Sequence, residues 1–181
     1  MSSDRSRELM LLLKEMEQRS RQHAGGLPDQ EEAHWLWEGI LFFVSGTPLV
    51  ASLKDVREIL NFPAVLTPIP GTQPWMLGIA NIRGTLLPVI DLQKFMGGKA
   101  VVTDKHSRVL VFDHNGIRAG LLVGEVRGMR HFSEDQHIEP PRLADPLANY
   151  ISEAFQADGQ EWPVFGIGML MESPDFQKAS L

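Results

Sequence analysis

The chain has 181 residues, of which 43% are hydrophobic and 22% charged, ordinary composition for one compact domain or two small packed halves. A formal net charge of −6 gives no electrostatic grip on DNA or anionic lipid, and the absence of cysteine excludes disulfides, thiol nucleophiles and zinc–thiolate sites. The longest apolar run near the N-terminus, Leu9-Met10-Leu11-Leu12-Leu13, is too short for a signal-peptide core or a membrane span, so the chain is expected to stay inside the cell.

Residues 5–21 predict an amphipathic helix, with Leu9, Leu12, Leu13 and Met16 at helical spacing. Gly25-Gly26-Leu27-Pro28-Asp29 ends it as a linker. A helix of this length is marginal alone, and the sequence leaves open whether it docks on the body, docks on a partner or frays. Residues 39–44 then predict a buried strand, Ser45-Gly46-Thr47-Pro48 a turn, and Leu49-Val50-Ala51 the returning strand. Ser52 and Asp55 look like an imperfect capping box opening a short helix, with Leu53, Val56, Ile59 and Leu60 on one face and Pro63 forbidding continuation.

Thr67-Pro68-Ile69-Pro70-Gly71 is too rich in proline for an interior strand. Residues 75–80 are apolar, Asn81-Ile82-Arg83-Gly84 reads as a turn, and residues 85–92 as a strand whose Pro88 implies an edge or a bulge. In the second half, two apolar runs flank Asp113-His114-Asn115-Gly116, a strong hairpin signal. Strand continues over 126–132, Ser133 and Gln136 cap one helical turn, and Pro140-Pro141 begins a loop. Leu147, Tyr150, Ile151, Ala154 and Phe155 have helical spacing, and residues 162–170 read as a last core strand after a turn at Asp158-Gly159. The sum is mainly β, in two groups of short strands that close as small barrels because closure removes exposed edges.

Residues 78–92, Gly-Ile-Ala-Asn-Ile-Arg-Gly-Thr-Leu-Leu-Pro-Val-Ile-Asp-Leu, resemble the signature of the CheW-like chemotaxis adaptor family, with every fixed point in register. Val56-Arg57-Glu58-Ile59 and Ile69-Pro70 stand where that family has related features, and the resemblance covers roughly residues 38–172. The N-terminal helix, Trp35-Leu36-Trp37 and Pro74-Trp75 are similar to the PilI-like branch attached to type IV pilus twitching motility. The resemblance implies an N-terminal helix and linker over 1–34 and a CheW-like domain over 35–175. That domain would hold two SH3-like five-stranded barrels, approximately 38–98 and 103–172, with exchange of strands between the halves left open. It resolves 150–157 toward strand, against the periodicity. Leu77 and Gln93 depart from basic residues frequent in the family, and the C-terminal segment lacks its usual acidic ending.

What the resemblance implies for function is a non-catalytic adaptor, without cofactor or metal. Its partners would be the regulatory domain of a CheA-type histidine kinase and the cytoplasmic tip of a methyl-accepting chemoreceptor, at membrane receptor arrays. The residues themselves agree. No two histidines have metal-site helical spacing, no Gly-x-Ser-x-Gly is present, and the glycines do not cluster as a phosphate cradle. Arg83, at a turn inside an apolar run, is an odd place for an incidental charge. Its planar fork suits a structural pairing with Glu58 or Asp91, and the resemblance implies a compatible functional role at the surface used for receptor and kinase contacts. Gly84 supplies a special backbone angle; Asn81, Glu58 and Val56 complete the candidate partner-binding set, with a core role equally open for Val56. Val109, Val111 and Val123 are candidates for lining a groove between the barrels. The alternative is a stand-alone SH3-like module gripping a peptide or single-stranded RNA, but one Tyr and an acidic balance count against RNA.

Overall fold

The computed structural model describes residues 36–179; the helix expected over 5–21 and its linker lie outside the described residues. Eleven strands dominate: β1 (Leu36–Val44), β2 (Thr47–Ser52), β3 (Val56–Asn61), β4 (Met76–Ile82), β5 (Thr85–Asp91), β6 (Arg108–His114), β7 (Ile117–Val123), β8 (Glu125–Ser133), β9 (His137–Ile138), β10 (Ile151–Ala157) and β11 (Gln160–Phe165). Three short helices join them: α1 (Leu92–Phe95), α2 (Ile167–Glu172) and α3 (Pro174–Gln177). The strands form a six-stranded sheet in the order β8-β1-β2-β11-β10-β9 and a five-stranded sheet in the order β3-β6-β7-β5-β4. Both are mixed, with parallel junctions at β2–β11 and β5–β7. The five-stranded sheet is contiguous in sequence, whereas the six-stranded one takes β1 and β2 from before it and β8 to β11 from after it.

Four hairpins turn on two residues of the form X-Gly: Ser45-Gly46, Arg83-Gly84, Asn115-Gly116 and Asp158-Gly159, all with positive φ at both positions. That is the geometry whose twist matches paired strands, and the second position tolerates it because glycine lacks a Cβ. The turns set the registers that follow, such as Ile82 opposite Thr85 and His114 opposite Ile117.

Apolar side chains sort into three clusters. Trp37, Leu41, Phe132, Phe155 and Trp162 fill the six-stranded sheet, and Ala80, Leu87, Val89, Val109, Val111 and Leu122 fill the five-stranded one. A third cluster, with Phe42, Leu49, Ile90, Leu110, Phe112, Leu121 and Phe165, lies between the sheets. Each sheet is thus apolar on both faces, which is why β6 reads as an unbroken apolar run: Val109 and Val111 face one cluster, Leu110 and Phe112 the other.

Several expectations are corrected. The helix over 52–60 is a turn followed by β3, paired antiparallel with β6; Ser52 Oγ accepts from the Lys54 N–H in a tight turn. Apolar residues at 53, 56, 59 and 60 satisfy helical spacing, but the edge of β6 supplies a ladder that outweighs it. Residues 162–170 are strand only to Phe165; Gly166 then leads into α2, whose buried Ile167, Leu170 and Met171 have helical spacing. Residues 147–150 form a single 3₁₀ turn and β10 begins at Ile151, so strand prevails over the helical periodicity there. Strand β5 is internal to its sheet, and Pro88 sits just before the β7 ladder begins at Val89, while the bulge lies opposite, in β4 between Met76 and Gly78. Val109, Val111 and Val123 are all buried core residues, Val109 and Val111 within the five-stranded sheet and Val123 between the sheets. The capped turn is as expected: the Ser133 N–H donates to Gln136 Oε1 at 3.0 Å.

Candidate partner-binding site

The turn between β4 and β5 is held by its own sequence. Asn81 Oδ1 accepts the Gly84 N–H at 2.9 Å, closing the loop from within. Arg83 takes φ 51° and Gly84 φ 82°, so the turn bends sharply and throws the Arg83 side chain outward, 79% exposed. Its Nη2 lies 2.8 Å from Glu58 Oε1. Glu58 is on β3 and Arg83 follows β4, the two strands at opposite ends of the sheet order, so the five-stranded sheet curls until its ends meet at this ion pair.

Around the pair is a small depression of about 120 Å³, floored by Leu60, Ile82, Leu87 and Val111. Arg118 stands on its rim, 3.7 Å from Asp113. The result is the Arg83–Glu58 pair and a second guanidinium, that of Arg118, over an apolar floor. Arg83 presents a planar, permanently charged donor fork whose pairing with the half-buried Glu58 leaves most of it in solvent.

Of the residues singled out from the sequence, the structure brings Glu58, Asn81, Arg83 and Gly84 together. Val56 is placed differently: it is 8% exposed and packs in the cluster between the sheets, anchoring the start of β3. Asp91 is not a partner of Arg83. It is buried, and its two oxygens accept the Lys94 N–H at 2.9 Å and the Val101 N–H at 2.8 Å, capping α1 and pinning the following loop. Arg118 was not foreseen. The signal was its position two residues past the Asn115-Gly116 turn, opposite Asp113 in the hairpin.

Three histidines each meet one carboxylate: His131 with Glu38 at 2.9 Å, His137 with Glu153 at 3.1 Å and His114 with Glu172 at 3.1 Å. Among the described residues no group of three metal-binding side chains converges. In the loop before β6, the His106 N–H, followed by that of Ser107, holds the Asp104 carboxyl below its ordinary value. No helix among the described residues is long and apolar enough to cross a membrane.

Protein PilI of Pseudomonas aeruginosa is 41% identical over 166 residues, spanning 91% of this chain and 92% of the relative. Protein FrzA of Myxococcus xanthus is 28% identical, over 68% of this chain and 77% of its own length. The crystal structure of scaffolding protein TtCheW from Thermoanaerobacter tengcongensis superposes with a TM-score of 0.69 at 25% identity, covering 78% of this chain and 96% of that one. The CheW-like domain matches residues 38–175, from the first strand through α2 and into α3. With two mixed sheets packed about a shared apolar cluster and a family match over most of its length, the chain belongs to the CheW-like domain family of non-catalytic scaffold adaptors.

Proposed function

We propose that this adaptor couples the cytoplasmic tip of a methyl-accepting chemoreceptor to the regulatory domain of a CheA-type histidine kinase, in a chemosensory system governing type IV pilus twitching motility. It works in the cytoplasm, recruited to membrane receptor arrays. The observation that carries the reading is the Arg83–Glu58 pair, set on an exposed two-residue turn in a chain so similar to protein PilI.

In this reading Arg83 and Glu58 touch a partner, Asn81 and Gly84 hold the turn that presents them, and Val56 fixes β3 from beneath. Residues 35–175 are the adaptor domain and 1–34 an N-terminal extension. The curled sheets are its two SH3-like barrels, and the insertion of the five-stranded one within the six-stranded one makes it one unit with two outer surfaces, one for each partner. A net charge of −6 suits protein partners and disfavours nucleic acid.

The test mixes the purified chain with the purified kinase and a soluble receptor signalling fragment from the same organism, without a third protein. Retention of both at micromolar concentration is expected. Retention of neither ends this reading.

A further inference from the structure

The last described stretch of the chain crosses from one sheet to the other. After α2, Ser173 turns the backbone: its Oγ donates to the Leu170 carbonyl at 2.8 Å and accepts the Phe176 N–H at 3.3 Å, which starts α3. Pro174, Asp175, Gln177 and Lys178 are exposed, while Phe176 and Ala179 are half-buried. Phe176 stacks on Trp75, with ring centroids 5.7 Å apart and 14° between the planes, and meets Phe95 edge-on at 5.7 Å. The Gln73 N–H donates to the Ala179 carbonyl at 2.8 Å. Gln73 and Trp75 lead into β4 of the five-stranded sheet, whereas α3 follows β11 of the six-stranded one, so this segment straps one sheet to the other.

Beneath the strap is α1, the joint of the molecule. It carries Phe95 and also Gln93, whose Oε1 accepts the Ser45 N–H of the β1–β2 turn at 3.1 Å and whose Nε2 donates to the Lys99 carbonyl at 2.8 Å. Leu92 is buried in the cluster between the sheets, and Phe95 meets Tyr150, just before β10, at 5.9 Å. A short helix that follows β5 is thereby tied to two parts of the other sheet.

The strap's own hold is slight. Four residues are too few to keep a helix without outside contacts. Among the described residues, one aromatic ring at the margin of the inter-sheet cluster and one backbone hydrogen bond, from Gln73, fix it to the five-stranded side. The aromatics below are anchored independently of it: the Trp75 carbonyl accepts the Asp91 N–H at 2.9 Å, and Asp91 caps α1. We propose that residues 173–179 are a detachable strap over this joint, opening and closing while both sheets stay folded. Closed, Phe176 fills the cleft of Trp75 and Phe95 and steadies α1 against the β1–β2 turn; open, it bares both rings and loosens one sheet on the other. That the strap thereby governs how two partner surfaces face each other rests on the two-partner reading above, and the test needs neither partner.

The test is amide hydrogen exchange, followed by NMR on the full chain. The Gln73 amide should exchange at least about a hundredfold faster than the slowest amides of β7, a strand paired on both sides, and its rate should not depend on low denaturant, as a small local opening requires. Phe176→Ala should speed Gln73 exchange about tenfold further and shift the Ser45 amide resonance. It should leave unchanged the β7 amides and the Met76 amide, which bonds within the same loop to the Gln73 carbonyl at 3.0 Å. Phe176→Leu, which keeps an apolar anchor, should fall between. The proposal is overturned if Gln73 is protected as strongly as β7, since the segment then opens only on global unfolding. It is overturned equally if Phe176→Ala leaves Gln73 or Ser45 unmoved, or if it weakens β7 protection as much as that of Gln73, which would make Phe176 an integral part of the core.

Discussion

Arg83 combines an exposed side chain with a left-handed backbone angle, φ 51°, that a residue with a Cβ adopts at a cost of about 1–2 kcal/mol. Its exposed ion pair with Glu58 returns about 1 kcal/mol or less. Folding alone would therefore favour glycine or asparagine at this position, and the arginine is explained by what it presents. Three variants separate the contributions. Arg83→Gly relieves the angle and loses the pair, so its denaturant midpoint should match or exceed that of the parent chain. Arg83→Ala keeps the angle, loses the pair and should be destabilised by about 1 kcal/mol. Both should lose kinase or receptor affinity by about 2 kcal/mol, and Lys should restore it only in part because it lacks the planar fork. If the Gly variant is the least stable and its folded fraction binds fully, Arg83 is a structural lock and no contact.

Hairpin turns carry more of the architecture than strand propensity does. Asn115-Gly116 joins β6 to β7, and β6 and β7 form the middle of the five-stranded sheet. Replacing both residues with Ala adds a Cβ at φ 79° and removes the asparagine side chain that tolerates φ 51°, and should lower stability by about 1–2 kcal/mol with an unchanged denaturant slope. A midpoint within experimental error of the parent would show that the hairpin tolerates another turn type. These turns were legible because their chemistry is local: two residues decide each one. Strand β3 was not, since its apolar positions fit a helix as well as a strand, and β6, which decides the matter, is far away in sequence. The site divided the same way. Asn81, Arg83 and Gly84 stood in one motif, and Glu58 was a named partner for Arg83; Arg118 came into view only when the sheet curled and brought the β6–β7 hairpin beside them. Val56 was undecided between core and surface because a bulge between Val56 and Glu58 resets which face each side chain takes.

At the scale of the whole molecule, the solved scaffolding relative is covered over 96% of its length by 78% of this chain, so the fold stands without a counterpart for the remainder. Removing residues 1–30 should therefore leave a cooperative thermal transition, with the melting temperature within a few degrees of the parent. Loss of cooperativity would make the N-terminal segment part of the core. Retained folding with lost partner binding would make it an added interaction arm.

The insertion of one sheet within the other also sets an order in time. As the chain leaves the ribosome, the β1–β2 hairpin emerges first, yet its neighbours β8 and β11 belong to the last part to be made. Strands β3 to β7 have all their ladder partners among themselves and complete their sheet meanwhile. Until synthesis finishes, the early hairpin waits with both outer edges bare, so a chain halted after β7 is an open template for pairing with another nascent copy.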